Sequence, residues 1–233
     1  MTLKEIVEKS KRIVFFGGAG VSTESGIPDF RSEDGLYRMK YAVSPETMLS
    51  AGYFYSHTEE FYRFYRDKML PLWAEPNAAH KKLAELEAKG KLLAVVTQNI
   101  DGLHQKAGSK KVYELHGSVH RNTCLTCGRK FSAEYIAAND GVPHCPCGGL
   151  IKPDVVLYGE TLDESTVEGA LAAIASADTL IIAGTSLTVY PAAGFVSYFR
   201  GEHLVLINRD ETPLDGKCDL VLREKVGEVF SEL

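Results

Sequence analysis

No apolar run in the sequence approaches the roughly 20 residues that a membrane-spanning helix requires. Stretches such as Leu92-Leu93-Ala94-Val95-Val96 stop far short, so no membrane association is expected. The first nine residues alternate charged with apolar side chains and lack the unbroken apolar segment of a signal peptide, which makes the cytoplasm the expected location. A basic excess is missing too: 26 Lys plus Arg stand against 31 Asp plus Glu, a net charge of -5. Phosphate neutralisation needs the opposite balance, so nucleic acid is not an expected partner. A mildly acidic surface instead suits a basic ligand such as a lysine-rich peptide. Cysteines are few and not scattered: of five, four fall within residues 124–147, which in a reducing compartment points to metal rather than disulfides. Apolar residues at 45% and charged residues at 24% exclude disordered, collagen-like and coiled-coil chains. The 233 residues suffice for one large α/β domain, or a main domain with a small insertion, but not for several domains.

What is present is an alternation of short apolar runs with longer helical patterns, the signature of βαβ units around a parallel sheet. Buried strands are expected at 13–16, 93–97, 112–115, 179–183, 204–208 and 220–222, and helices at 58–72, 78–89, 163–176, 191–199 and 225–233. The helix at 78–89 follows Asn77, a suitable cap, and stops at Lys89-Gly90. Two stretches interrupt the alternation. Residues 35–73 are rich in aromatics, which read as helix packing rather than a cofactor box, and 119–153 carry the cysteines with Gly and Pro. Internal repeats and low-complexity segments are absent.

The first strand runs into Gly17-Gly18-Ala19-Gly20-Val21-Ser22-Thr23-Glu24-Ser25-Gly26. A glycine-rich turn there lets the backbone approach a pyrophosphate, and a following helix N-terminus would add a favourable dipole. The turn departs from G-x-G-x-x-G because Thr23 takes the third glycine position. No acidic residue ends a second strand about 20 residues later, so an ordinary hydride-transfer enzyme is disfavoured. Next, Ile27-Pro28-Asp29-Phe30-Arg31 places a charged pair around a phenylalanine in a loop able to close over a ligand. The strand at 93–97 ends in Gln98-Asn99-Ile100-Asp101-Gly102-Leu103-His104, and the one at 112–115 in His116-Gly117. Polar groups thus gather beyond the carboxyl ends of strands, where doubly wound sheets bind ligands. A histidine beside an amide and a carboxylate can serve as a general base near neutral pH.

Cys124 and Cys127 form C-x2-C, and after 17 residues Cys145 and Cys147 form C-x-C. Two short chelating loops of this kind supply four thiolates for tetrahedral zinc, and a closed site makes the metal structural. The second loop is one residue short of the usual spacing. His144 with Cys147 would restore it, so a Cys3His set stands as the alternative. Cys218 is isolated and reads as a packed small residue. His57, His80, His104 and His203 likewise read as satisfied structural or surface residues.

The runs Gly18-Ala19-Gly20-Val21-Ser22, Gly26-Ile27-Pro28-Asp29-Phe30-Arg31 and Thr97 to His104, with His116-Gly117, the four cysteines and Gly184-Thr185-Ser186-Leu187, closely resemble the sirtuins, NAD-dependent protein lysine deacylases. The resemblance covers nearly the whole chain and matches a compact bacterial or archaeal member. It implies an α/β fold: a Rossmann-like parallel sheet flanked by helices, with a small zinc-binding domain and a helical insertion. Residues 1–34, 75–118 and 154–233 would form the NAD-binding domain. Residues 35–74 and 119–153, the latter a zinc-ribbon-like module holding one structural Zn2+ on Cys124, Cys127, Cys145 and Cys147, would form the small domain.

By the same resemblance Gly18, Ala19, Gly20 and Thr23 line the NAD site, while Phe30 and Arg31 shield the reacting ribose. Gln98, Asn99, Ile100 and Asp101 build the nicotinamide pocket and ribose contacts. Gly184, Thr185, Ser186 and Asn208 hold the phosphates and adenosine side, and Cys218 with Asp219 borders the adenine. Val155, Val156, Leu157 and Tyr158, together with residues 187–190, clamp an acetyl-lysine peptide as an added strand. The family reaction has the acyl oxygen attack ribose C1′ as nicotinamide leaves. His116, the catalytic residue together with Asn99, then activates a ribose hydroxyl and O-acyl-ADP-ribose results. Members favouring succinyl or malonyl groups carry Tyr-x-x-Arg. Here Tyr62 is followed three residues on by Tyr65, with Arg66 one place further, about 100° around the helix, so acetyl or another neutral acyl group is the expected substrate. A silent NAD-binding module would not need His116 and Asn99, and ADP-ribosyl transfer to protein stands as a further activity.

Overall fold

The computed structural model describes residues 1–29, 35 and 43–233. Phe30 and Arg31 lie outside the described residues. Nine strands are described: β1 (Ile13–Gly17), β2 (Leu92–Thr97), β3 (Val112–Glu114), β4 (Gly117–Cys124), β5 (Lys130–Phe131), β6 (Ile151–Val155), β7 (Thr179–Ala183), β8 (His203–Ile207) and β9 (Leu220–Leu222). Six of them form one sheet in the order β3-β2-β1-β7-β8-β9, with every neighbouring pair parallel. This is the doubly wound order in which connection direction reverses between β1 and β7, opening a crevice beyond their carboxyl ends.

The central strands are apolar throughout because both sheet faces are covered. Ile13 and Phe15 of β1 join one core cluster with Ile181, Val205 and Ile207. Val14 and Phe16 join the opposite one with Leu180, Ile182 and Leu206, as the two-residue side-chain period requires. Each such side chain taken fully out of water contributes about 1.5–3 kcal/mol. The first face is covered by α1 (Leu3–Lys9), closed by a Thr2/Glu5 capping box, by α5 (Ala78–Ala88) and by α9 (Val226–Ser231). The second is covered by α8 (Glu164–Ser176) and a 3-10 segment at Ala192–Tyr198.

A third cluster lies apart from these two. The helices α2 (Pro45–Met48), α3 (Ala51–Ser56) and α4 (Thr58–Lys68) pack on the antiparallel sheet β5-β4-β6, near α7 (Ala133–Ala137). Phe54, Phe61, Tyr62, Phe64 and Tyr65 are all buried there, so this part of the aromatic stretch is helix packing, while Tyr55 and Trp73 are exposed and Tyr37 and Tyr41 lie outside the described residues. The remaining short helix, α6 (Leu103–Lys106), follows the β2 loop.

Three boundaries differ from expectation for identifiable reasons. The helix expected at 58–72 stops at Lys68 because Pro71 disfavours helical backbone at Leu70. The segment expected as an α-helix at 191–199 is 3-10, with Gly194 N–H donating to the Pro191 carbonyl; Gly194 and Val196 lower its α propensity. The glycine turn leads into two three-residue 3-10 turns, Ala19–Val21 and Thr23–Ser25, not into an α-helix. Ser22, Thr23 and Ser25 are weak helix formers, and Gly26 ends the segment at φ +84.

Candidate active site

The glycine turns after β1 and β7 touch backbone to backbone. A Cβ on Gly20 would lie 2.7 Å from the Gly184 Cα, and one on Gly18 2.7 Å from the Gly184 carbonyl oxygen. Neither neighbour is a side chain able to move aside. Gly18 N–H donates to Ala183 and Gly20 N–H to Gly184, while Gly184 N–H reaches Ile207 at the end of β8. Three strand ends are thereby stitched together. The N–H groups of Gly18, Gly20, Val21 and Ser22 are all engaged within this turn system, whereas that of Ala19, between them, has no acceptor among the described residues. Bare glycine backbone and a free N–H at the crevice suit a pyrophosphate. Thr23 is exposed, its hydroxyl donating to the Gly20 carbonyl at 3.0 Å.

The loop after β2 is tied to β4 and the residue before it at three points. His116 Nδ1 donates to the Gln98 carbonyl at 2.9 Å, Val119 N–H to the Ile100 carbonyl at 3.0 Å, and His120 Nε2 to the Asp101 carbonyl at 3.0 Å. A carbonyl can only accept, so the His116 proton sits on Nδ1 and the Nε2 lone pair remains available. Burial holds the His116 imidazole below its ordinary value near 6.5, against the opposing pull of the Gln98 carbonyl. It is therefore neutral near pH 7.

Across the crevice, Asn99 Nδ2 donates to Ser22 Oγ at 3.1 Å and Ser22 Oγ donates to Asp101 Oδ2 at 2.7 Å. The second carboxylate oxygen accepts from Leu103 N–H at 2.9 Å, so Asp101 is held as an acceptor in one orientation. Gln98 Nε2 donates to Thr185 Oγ1 at 3.0 Å, which joins the β2 loop to the β7 turn. Ser186 bonds Thr188, and Asn208, nearly buried, donates to the Asp210 carbonyl.

Cys218 sits partly buried against the second core cluster. Its thiol is pushed up to about 11 by burial and by Asp215 and Asp219, and it donates to the Leu214 carbonyl. It stays protonated, as a packed residue should.

Gln98 to Asp101, His116, the glycine turn, Thr185 and Asn208 thus converge at strand ends, whereas His104 does not. Its ring is buried beneath the loop against Phe15 and His80. Ser22 and His120 were not singled out by sequence. Ser22 is almost fully buried within the glycine-turn motif, and His120 stands four residues after His116 on β4, the two faint signals that could have found them.

Cys124, Cys127, Cys145 and Cys147 hold their four sulfurs within 4.8 Å of one another. The Cys124–Cys147 and Cys127–Cys145 separations are both 3.6 Å. A Zn–S length of about 2.3 Å implies a tetrahedral edge of about 3.8 Å, so these donors fit zinc. N–H groups of Cys127 and Thr126 aim at the Cys124 sulfur and hold its thiol down to about 6, and a Cβ on Gly149 would lie 2.7 Å from that sulfur. His144 is not in the set: its Nδ1 turns to the Val142 carbonyl at 2.9 Å. The short C-x-C loop therefore supplies both sulfurs itself.

Val155 ends β6, and Val156, Leu157 and Tyr158 follow it beside His116, the Val156 N–H donating to the His116 carbonyl at 2.9 Å. Tyr158 exchanges backbone bonds with Leu49 and Ala51 on the other side. On α4, Tyr62 donates to the Ile151 carbonyl, and Arg66 turns into the cysteine module, bonding the carbonyls of Ile136 and Gly141. Arg63 is exposed and faces Glu59.

A model of the Sir2 family matches residues 18–191. A protein of Clostridium acetobutylicum named NAD-dependent protein deacetylase is 58% identical over 232 residues, covering 98% of this chain and 95% of that protein. One of Clostridium perfringens with the same name is 55% identical over 235 residues, covering 99% and 96%. Among solved structures, Sir2 with a p53 peptide and NAD+ superposes with a TM-score of 0.88 at 41% identity, over 100% of this chain and 97% of that one. Sir2 in complex with an inhibitor, 2′-O-acetyl-ADP-ribose and a deacetylated p53 peptide gives a TM-score of 0.86 at 40% identity, over 98% and 95%. With its sequence, its strand order and its cysteine cluster in agreement, the chain belongs to the Sir2 family, the sirtuins.

Proposed function

We infer that the protein is an NAD-dependent protein lysine deacetylase, yielding deacetylated lysine, nicotinamide and O-acetyl-ADP-ribose. Its relatives carry that name, and its structural neighbours hold peptide with NAD+ or with acetyl-ADP-ribose. The observation that carries the reading in this chain is His116, neutral, with its proton fixed on Nδ1 by Gln98.

In this reading the backbone of Gly18, Ala19 and Gly20, with Thr23, receives the pyrophosphate, together with Gly184, Thr185 and Ser186. Gln98, Ile100 and Asp101 enclose the nicotinamide end and Asn208 borders the adenosine end, whereas Cys218, expected there as well, precedes β9 at the level of Leu204, the opposite end of the sheet from Asn208, and packs against the second core cluster. When bound, NAD supplies an electrophilic ribose carbon, nicotinamide as leaving group and the acceptor for the acetyl group. Asn99 and Asp101, oriented through Ser22, hold polar groups against the ribose. His116 Nε2 takes the proton from a ribose hydroxyl as general base. Zinc on the four cysteines holds the module together and takes no part in the chemistry.

The acetyl-lysine peptide lies along Val155, Val156, Leu157 and Tyr158. Four of the five N–H groups from Val156 to Glu160 already donate within the chain, so such a peptide would pair through carbonyls and the Gly159 N–H. Arg66 and Arg63 are both engaged elsewhere, which supports a neutral acyl group over succinyl or malonyl. We divide the chain into an NAD-binding domain of residues 1–34, 75–118 and 154–233 and a small domain of 35–74 and 119–153, a division supported by the separate third core cluster. The cytoplasm is the location this reading favours, since four cysteines are clustered for a metal and none is in a disulfide, as suits a reducing compartment.

Incubating the protein with an acetyl-lysine peptide and weighing the products tests the reading. Loss of the acetyl mass only with NAD, with acetyl-ADP-ribose formed, is the expected result. ADP-ribose added to protein with the peptide unchanged would instead establish a transferase, and unchanged NAD and peptide a binding module.

A further inference from the structure

Lys152 is an unusually well-engaged lysine. Its side chain is only 13% exposed and its Nζ reaches Glu160 Oε2 at 3.0 Å, whose own side chain is 27% exposed. The same ammonium donates to the carbonyls of Val155 at 3.2 Å and Pro153 at 3.3 Å. The same Glu160 oxygen accepts from Leu157 N–H at 2.9 Å, and Glu160 N–H returns to the Leu157 carbonyl at 2.9 Å. One ion pair therefore grips both Val155 and Leu157. Lys152 itself is fixed on β6, which pairs with β4 at Thr123.

Beyond this grip the chain opens outward. Tyr158 is 42% exposed. Gly159 stands at φ +91, and a Cβ there would meet nothing within 4 Å. The segment is thus a preformed surface anchored from beneath by Val155 and Leu157, buried in the third core cluster, with the two charges fixing the backbone between them.

We propose that Lys152 and Glu160 are positioning residues for the acyl-lysine peptide: their ion pair holds residues 155–158 in the conformation that receives the substrate strand. The inference rests on the reading of 155–158 as the substrate strand. Preorganisation of this kind lowers the ordering cost at the moment of binding. Because the pair lies on β6 and its outgoing loop, away from the ends of β1, β7 and β8, it bears on the peptide and not on NAD. An arginine at 152 keeps the charge and can reach the same carboxylate.

Binding of a fluorescein-labelled acetyl-lysine peptide, read by anisotropy without NAD, tests this directly, alongside steady-state kinetics with each substrate varied in turn. For Lys152→Met and, as a second route should that variant not fold, Glu160→Gln, the peptide Kd and KM are expected to rise about tenfold, the worth of one charge-assisted hydrogen bond. The KM for NAD should stay unchanged, and Lys152→Arg should restore peptide binding. Peptide binding unmoved in both variants, or peptide and NAD constants rising together, would overturn the inference. Wild-type protein that binds no acetyl-lysine peptide would remove the substrate reading beneath it and the inference with it.

Discussion

His116 and Gln98 are joined by a 2.9 Å hydrogen bond from the imidazole Nδ1 to a backbone carbonyl, and this bond decides which nitrogen can act. The carbonyl belongs to the loop that also carries Asn99 and Asp101, so the proposed base and the polar groups proposed for the ribose are held in one frame. Burial sets the imidazole below its ordinary value while the carbonyl opposes that shift.

The direction of that shift fixes the acid limb of the rate profile. Only neutral imidazole can accept a proton, and its pKa in the free enzyme lies below 6.5. The acid limb of kcat/KM against pH should therefore have its midpoint below pH 6.5. An acid limb centred above pH 6.5 would contradict the assignment.

Ser22 bridges Asn99 and Asp101, and its side chain is almost fully buried. Ser22→Ala leaves the Asn99 amide and one Asp101 oxygen without their partner. A loss of about tenfold in kcat/KM, or ~1.4 kcal/mol, is expected with the circular dichroism spectrum unchanged.

The four clustered cysteines and the lone one should part company on mutation. Elemental analysis should find one zinc per chain in the wild type. Cys145→Ser should lose the metal and at least ~3 kcal/mol of stability in urea unfolding. Cys218→Ala, which removes only a protonated thiol bonded to Leu214, should keep the zinc and stay within about 1 kcal/mol.

His80 and His104 are buried against each other, with ring centroids 4.7 Å apart and the rings tilted by 59°. Burial lowers His80 to about 4 and His104 well below 6.5. Both are neutral in the fold, so as pH falls below 6.5 the unfolded chain takes up protons that the folded chain refuses. Stability contributed above pH 6.5 is then lost toward pH 4, by roughly 1.4 kcal/mol per pH unit for each ring. Urea unfolding between pH 7 and pH 4.5 should show this slope, and His104→Leu should remove one ring's share of it.

How legible each part was in the sequence follows from its physics. The strands of the large sheet were readable because residues such as Val14 and Phe15 face opposite but equally buried layers, leaving unbroken apolar runs. β4 was not, since Gly117-Ser118-Val119-His120-Arg121-Asn122-Thr123-Cys124 carries no clean alternation and its pairing shifts register between Gly117 and Asn122. α1, only seven residues long, shows its Thr2/Glu5 cap more clearly than any period. The cysteine spacing exposed the metal module but left His144 against Cys145 open, because a backbone turn toward Val142 settles it. Likewise the glycine turn was plain, while the engagement of the Gly18 and Gly20 N–H groups depends on the turn after β7, more than 160 residues away.

The central claim is that His116 is the base of an NAD-dependent deacetylation, and the most direct measurement counts nicotinamide released and acetyl-lysine lost in parallel for the wild type and His116→Ala. The wild type should give equal amounts of both, and neither without NAD. His116→Ala should lose at least about 10²-fold in turnover while still binding NAD in calorimetry. Deacetylation without NAD, or undiminished turnover in His116→Ala, would contradict the account.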